Sequence, residues 1–306
     1  LDGHNASCRP DARRPRRAPR NPMTLVKVQI FIALHPAVSA ICAGAVGACI
    51  GSFLNVCIHR LPKEESVVTP ASRCACGQPI PWWLNLPLFG WLALRGKARC
   101  CGASISVRYP IIELLTAVLF AVAILTLPPL KAAIAAVFLP LLIVLAGCDL
   151  DDMMVPDAPN LALVGLGLLF SILVPSLQGE TGAALEVINR LQAAGDSLIG
   201  IAVGTALVWW IRTIGSILMG QEAMGEADII LCAGVGAFCG WQGAVFCLFG
   251  GAVIGVLLKF PMVIAVFTKK ETDSHVPFVP SLAIAGAIWF FRGPELVEAW
   301  HLWVTG

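Results

Sequence analysis

Long runs of apolar residues follow one another along this chain, and they limit its fold more than any other feature. Of its 306 residues, 58% are hydrophobic and only 13% are charged, whereas soluble domains carry roughly 25% charged residues. About 20 apolar residues span a bilayer, where the backbone must satisfy its own hydrogen bonds and therefore forms helices. We predict an all-α polytopic membrane protein with about eight transmembrane helices, at residues 34–57, 109–128, 131–149, 158–176, 196–218, 228–240, 242–266 and 279–292.

The two ends of the chain differ from these spans. Residues 1–22 contain six arginines and four prolines and almost nothing apolar, so they cannot form a packed core. We interpret them as a non-native or disordered extension translated from upstream sequence, with Met23 as the true start. The alternative is a basic cytoplasmic tail. The first transmembrane segment then covers residues 23–57, and a C-terminal tail covers residues 293–306.

The only sizeable polar segment, residues 58–108, lies between the first two spans. It carries seven lysines and arginines against two glutamates, and the positive-inside rule therefore places it in the cytoplasm. We expect a cytoplasmic loop domain here, followed by a seven-helix membrane domain at residues 109–292. Most of the chain then contacts the lipid bilayer, and no nucleic-acid partner is expected.

Two aspartates lie where long apolar segments meet polar loops. Eight spans bring Asp149, at the end of the third, and Asp228, at the start of the sixth, to the same cytoplasmic face. Ionisable residues at membrane depth are costly and mark functional sites. Two neighbouring carboxylates that share one proton provide an acid and a base. Such a pair suits hydrolysis of a peptide bond.

Several residues near these aspartates are further candidates, each with a simpler alternative. Gly225 lets a substrate backbone approach Asp228, and Pro156 with Asp157 breaks the helix after Asp149. Glu113, just inside the second span, could orient substrate or pair with Arg108. The alternatives are a solvated acidic loop at residues 149–157 and a helix-capping role for Asp228. A transporter with an acidic ion site is also open, although no internal repeat supports it.

Six motifs in this chain resemble those of the type IV prepilin peptidases, and they occur in the family's order. They include the first aspartate block and a sequence similar to the family's GxGD motif. The motifs are GSFLNVCIHRLP at 51–62, NLP with GWLALRGK within 85–97, ISVRYPIIE at 105–113, DLDDMMVPD at 149–157, MGEAD at 224–228 and VPFVPSLA at 276–283.

The resemblance implies an intramembrane aspartic endopeptidase of the bacterial inner membrane, with Asp149 and Asp228 as its catalytic pair. Such enzymes remove the basic leader of prepilins, or of the pseudopilins of type II secretion, at the cytoplasmic face. Many also methylate the new N-terminal residue, with S-adenosylmethionine as methyl donor. The chain departs from the GxGD pattern at Ala227, which is still small, and has Ile230 where a lysine is often found.

A second departure concerns four cysteines in the polar loop. The family often has two CxxC pairs there, a spacing that suits tetrahedral zinc. Here the pairs are shorter, as Cys74-Ala75-Cys76 and as adjacent Cys100 and Cys101. Four thiols remain, so a zinc site is one interpretation. The other is two reduced thiol clusters, because disulfides are rare in the cytoplasm.

Overall fold

Helices account for nearly all regular structure in the computed structural model, which describes residues 22–70, 73–74, 76–179, 185–220, 224–268 and 277–306. In these ranges no strand forms, and two isolated β-bridges are the only extended pairing. The predicted all-α class is confirmed. The helices are α1 (Pro22–Leu34), α2 (Pro36–Arg60), α3 (Phe89–Ala93), α4 (Arg108–Thr126), α5 (Pro129–Asp152), α6 (Asp157–Leu173), α7 (Glu186–Met219), α8 (Glu226–Thr268) and α9 (Val279–Thr305).

These bounds differ most clearly from the predicted segments at two places. The segment 23–57 is divided at His35 between α1 and α2. Helix α9 continues to Thr305, beyond the predicted end at residue 292, with Pro294 inside it. The extension at residues 1–22 lies outside the described residues except for Pro22, which begins α1.

Five helices in the described part of the chain are long and apolar enough to cross a membrane. They begin at Pro36, Arg108, Pro129, Glu186 and Glu226. The fifth contains both the sixth and the seventh predicted spans. Helix α6, at 17 residues, is apolar but shorter.

Helix α8 reverses direction in the middle. Gly240 has φ 69° and ψ −178°, a conformation that is essentially restricted to glycine. The sulfur atoms of Cys232 and Cys247 lie 3.9 Å apart, although 15 residues of straight helix would separate them by about 22 Å. The chain therefore folds back on itself, with a first arm at residues 226–239 and a second arm at residues 241–268.

Neighbouring side chains donate hydrogen bonds to the carbonyl oxygen of Ala237, three residues before Gly240. Ser171 donates to it at 3.1 Å, Gln178 at 2.8 Å and Ser197 at 2.9 Å. Irregular backbone at membrane depth is tolerated only where protein surrounds it. These three contacts from α6, the turn after it and α7 allow the hairpin to form inside the bundle.

Close backbone contact joins neighbouring helices at glycines. A methyl group on Gly200 of α7 would lie 2.1 Å from the carbonyl oxygen of Gly236. One on Gly47 of α2 would lie 2.7 Å from the carbonyl oxygen of Thr116 in α4. Small residues at such contacts let transmembrane helices approach closely. The α2–α4 pair and the α7–α8 pair are thus both packed backbone to backbone.

Helix α5 lies between these two pairs. Its Phe138 is fully buried, with ring centroids 4.7 Å from Phe238 and 4.8 Å from Phe290. Towards its C-terminal end, Val144 and Cys148 pack with Leu54 and Ile58 of α2. Helix α5 therefore connects the N-terminal pair to the C-terminal bundle, and its last turn carries Asp149.

Candidate active site

Asp149 lies in the last turn of α5 and is only 7% exposed. The helix ends at Asp152, where Met153 takes up a left-handed conformation, and Pro156 immediately precedes α6. Oδ2 of Asp149 accepts a hydrogen bond of 3.1 Å from the backbone N–H of Val279, the first residue of α9. The carboxylate thus binds one of the backbone donors that a helix N-terminus leaves unpaired.

Asp228 lies in the first turn of α8 and is 6% exposed. Its Oδ2 accepts a hydrogen bond of 3.2 Å from the backbone N–H of Gly225, just before the helix. A third-residue carboxylate that binds the N-cap amide is one half of a capping box. The capping role considered above is therefore present, and it fixes the orientation of the side chain.

The structure brings the two aspartates together, as the predicted topology requires. They are close enough for an electrostatic interaction between the carboxylates. The Asp149 carboxylate faces the N-terminus of α9, and Asp228 lies at the N-terminus of α8. The helix dipole stabilises negative charge at such an end. A Cβ added at Gly225 would lie 3.7 Å from Oδ2 of Asp228, which is an ordinary van der Waals contact. Two interacting buried carboxylates can share one proton.

Asn160 belongs to the same group of helix ends, although its sequence position did not suggest a role. It is fully buried in the first turn of α6 and donates from Nδ2 to the carbonyl oxygen of Ala227 at 3.0 Å. Its Oδ1 has no hydrogen-bond partner among the described residues. The bond joins α6 to the residue next to Asp228. The sequence signal that could have indicated this residue is a single side-chain amide, directly after Pro159, in an otherwise apolar helix.

The sequence analysis considered a pair between Glu113 and Arg108, but in the structure each of these residues has another partner. Arg108 forms an ion pair with Asp151, two residues after Asp149. Glu113 is 7% exposed, and its Oε2 accepts a hydrogen bond of 2.7 Å from the backbone N–H of Leu88. Among the described residues, the pairing of Glu113 with Arg108 is therefore not found. Pro156 and Asp157 form the start of α6, as the helix break predicts.

The four loop cysteines form a compact cluster at the ends of two tight turns. Cys74 donates its backbone N–H to Gln78, and Ala98 donates to Ala103, so that each pair of thiols sits on a short hairpin. The Sγ atoms of Cys74, Cys76, Cys100 and Cys101 all lie within 4.8 Å of one another.

These sulfur positions fit a tetrahedral metal. The sulfurs of Cys76 and Cys100 are 3.2 Å apart and those of Cys74 and Cys101 are 3.5 Å apart, near the separation of about 3.8 Å that Zn–S bonds of about 2.3 Å give in a tetrahedron. A hydrogen bond from the Cys76 backbone, aided by the neighbouring thiols, lowers the pKa of Cys74 to about 7. Hydrogen bonds with Cys76 and Cys74 raise the pKa of Cys100 to about 12.

Comparisons with known proteins cover most of the chain, and one family match includes both aspartates. Residues 45–127 match the model of the bacterial peptidase A24 N-terminal domain, and residues 136–260 match the type IV leader peptidase family. No solved structure matches this chain.

Three curated relatives carry the name prepilin leader peptidase/N-methyltransferase. The protein of Xanthomonas campestris pv. campestris is 33% identical over 88% of this chain and 97% of its own length. That of Aeromonas hydrophila is 34% identical over 83% of this chain and 90% of its own length. That of Myxococcus xanthus is 37% identical over 82% of this chain and 72% of its own length.

Proposed function

Because this chain belongs to the type IV leader peptidase family, we propose that Asp149 and Asp228 are the catalytic carboxylates with which it cleaves type IV prepilins. Its activity is that of a prepilin leader peptidase and N-methyltransferase. The enzyme removes the leader peptide and methylates the N-terminus that cleavage exposes. The single observation that supports the catalytic assignment is the meeting of two buried carboxylates, Asp149 and Asp228, that are 79 residues apart in sequence.

The chemistry follows from a pair that holds one proton. The ionised carboxylate takes a proton from a water molecule, whose oxygen bonds to the scissile carbonyl carbon. The protonated carboxyl donates its proton to the carbonyl oxygen as the tetrahedral intermediate forms. The C–N bond then breaks, and the leaving amine takes a proton from the pair. The bonds from Val279 and Gly225 hold Asp149 and Asp228 in place during these steps.

The aspartate end of the bundle faces the cytoplasm in this proposal, and the membrane is the bacterial inner membrane. Basic residues concentrate in the loop at the same end of the bundle, which is the distribution that the positive-inside rule describes. The reversal at Gly240 supports eight crossings, because it turns the fifth long helix into two antiparallel arms. Prepilins and the pseudopilins of type II secretion would reach the aspartates from this side.

The methyl group comes from S-adenosylmethionine, which is a co-substrate of the second activity. Zinc is the metal that suits four thiols, and we assign its site to Cys74, Cys76, Cys100 and Cys101. The support is the tetrahedral fit of their sulfur atoms. The metal would hold the two hairpins of the loop together, since structural zinc sites contribute directly to folding.

A cleavage assay on the full chain in membranes tests the catalytic pair. We expect Asp149→Asn and Asp228→Asn each to reduce removal of the leader by about 10²–10⁴-fold, and the double variant to be no worse than either. Asp152→Asn is the matched control, because Asp152 is exposed at the same helix end. Mass spectrometry of the product detects both the cut and the added methyl group.

The result that contradicts the proposal is cleavage at the wild-type rate by either aspartate variant. A second measurement keeps this outcome distinct from loss of the protein. Membrane insertion and thermal stability in detergent should be those of the wild type for both variants. Unchanged cleavage by a well-inserted Asp228→Asn variant would reopen the interpretation of the acidic pair as an ion site.

A further inference from the structure

The polar loop carries a group of exposed apolar side chains that the peptidase chemistry does not use. The group, here called the loop patch, lies in and beside the short helix α3. The side chains in this group are largely exposed: Phe89 is 73% exposed and Leu92 is 62% exposed. Scattered apolar residues are normal on surfaces, but a contiguous patch marks a contact with a membrane or a partner. The loop patch consists of Trp83, Leu86, Phe89 and Leu92.

The backbone beneath the loop patch is held in a strained turn. Leu88 has φ 63° and ψ −48°, a region that L-residues other than glycine rarely adopt. The N–H of Phe89 donates to the carbonyl oxygen of Pro87 at 2.7 Å, which closes a three-residue turn. The N–H of Leu88 points the other way, to the buried carboxylate of Glu113 at 2.7 Å. Strain of this kind persists only where the surroundings hold it.

Glu113 fixes the depth of this turn relative to the bilayer. Helix α4 has 19 residues and is about 28 Å long, which is close to the roughly 30 Å of a hydrocarbon core. The whole helix is therefore needed to cross. Glu113 lies five residues after Arg108, or about 7 Å along the axis. A turn bonded to its carboxylate consequently lies below the boundary of the headgroups.

We propose that the loop patch is inserted into the lipid leaflet at the aspartate end of the bundle, where the Glu113 carboxylate anchors it. The partner is the phospholipid bilayer itself. Three exposed cations follow α3 directly and are placed to meet anionic headgroups, a favourable arrangement for segments that lie in the interface. These cations are Arg95, Lys97 and Arg99.

Glu113 is a positioning residue in this arrangement, since it acts through Leu88. A carboxylate or a neutral amide at position 113 can each accept the N–H of Leu88, but a methyl group cannot. Loss of the acceptor leaves a strained turn with an unpaired donor in an apolar environment, which favours release of the loop patch. The anchor therefore depends on an oxygen acceptor rather than on negative charge.

A photoactivatable phospholipid with a diazirine near the end of its acyl chain tests the insertion. The full-length enzyme is reconstituted alone in vesicles of phosphatidylcholine and phosphatidylglycerol, irradiated, digested and analysed by mass spectrometry. We expect adducts on residues 83–92 and on α2 and α4, with none on residues 76–79 of the cysteine hairpin. The proposal does not rest on the peptidase activity, because the readout is lipid contact.

Two variants separate anchoring from general damage. Glu113→Gln should keep the adducts on residues 83–92, whereas Glu113→Ala should reduce them by about tenfold while adducts on α2 and α4 remain. The proposal is overturned if α4 is labelled in the wild type and residues 83–92 are not, as a patch reserved for a protein partner would give. Equal labelling of residues 83–92 in the Gln and Ala variants would overturn the anchoring role of Glu113.

Discussion

The aspartate pair and the cysteine cluster are assembled in opposite ways. Asp149 and Asp228 are buried, lie on different helices, and meet because α5, α8 and α9 pack together. The cysteines lie in the polar loop, mostly exposed, on two hairpins closed by local backbone bonds. One site is a product of the whole bundle, and the other is a product of two short turns.

This difference separates two kinds of constraint. The aspartates have fixed positions, because each carboxylate is tied to a backbone N–H of a helix end. The cysteines have to supply four donors, and a ligand of another type can replace one of them as long as the tetrahedron closes. Position should therefore dominate at the first site, and donor chemistry at the second.

Lengthening one of the two carboxylate side chains tests the first half of this comparison, and we expect it to have the largest effect on cleavage. Asp228→Glu keeps the charge but adds a methylene group in a buried position, and displacement of about 1 Å from productive geometry can cost about 10²-fold in rate. We expect a loss of cleavage of that size, measured as kcat/KM on a prepilin. Asp152→Glu, in an exposed position at the end of α5, supplies the comparison. Cleavage by Asp228→Glu within a few-fold of the wild type would show that position matters less than we infer.

Ligand exchange tests the second half. Cys101→His should retain about one zinc per chain, because three cysteines and one histidine also form structural sites. Replacing Cys74 and Cys101 together with alanine should remove the metal and loosen the loop. Elemental analysis of the purified enzyme gives the zinc content, and proteolysis within residues 64–107 reports the loop. A wild-type protein without metal would contradict the zinc assignment.

A substitution beside the hairpin of α8 should have a smaller effect, on the free energy of unfolding. It tests whether the bundle that positions the aspartates depends on these side-chain donors. Ser197→Ala removes one of three donors to the Ala237 carbonyl oxygen. We expect a loss of about 0.5–1.5 kcal/mol in the free energy of unfolding, measured by equilibrium unfolding in bicelles. Thr213→Ala on the same helix is the control, since that hydroxyl bonds only to Trp209 of its own helix. An equal loss in both variants would mean that the hairpin carbonyl is not specially supported.

The ion pair of Arg108 with Asp151 should have the smallest effect. Both side chains are about a third exposed, and pairs in contact with water contribute less than about 1 kcal/mol. A double-mutant cycle with Arg108→Met and Asp151→Asn measures the coupling energy. A coupling of several kcal/mol would show that this pair belongs structurally to the aspartate site rather than to the solvated loop.

The sequence predicted those features that depend on composition and on the order of the spans. Apolar length indicated the helices, and the parity of crossings placed Asp149 and Asp228 at one end. The contacts of Asn160 with Ala227 and of Glu113 with Leu88 could not be predicted, because both join residues that only tertiary packing brings together. The boundary inside α8 was ambiguous for a related reason. The reversal at Gly240 lies within a continuous apolar run, and its support comes from Ser171, Gln178 and Ser197.

In the proposed topology, the reversal at Gly240 decides on which side of the membrane the rest of the chain emerges. Without it, residues 226–258 would form one apolar helix of 33 residues, which at about 50 Å is long enough to cross once. Every later segment would then change sides, and Val279 would leave the end of the bundle that holds Asp149. A substitution at Gly240 that straightened α8 would therefore produce a protein with an inverted C-terminal orientation, in which α9 could no longer donate the N–H of Val279 to Asp149.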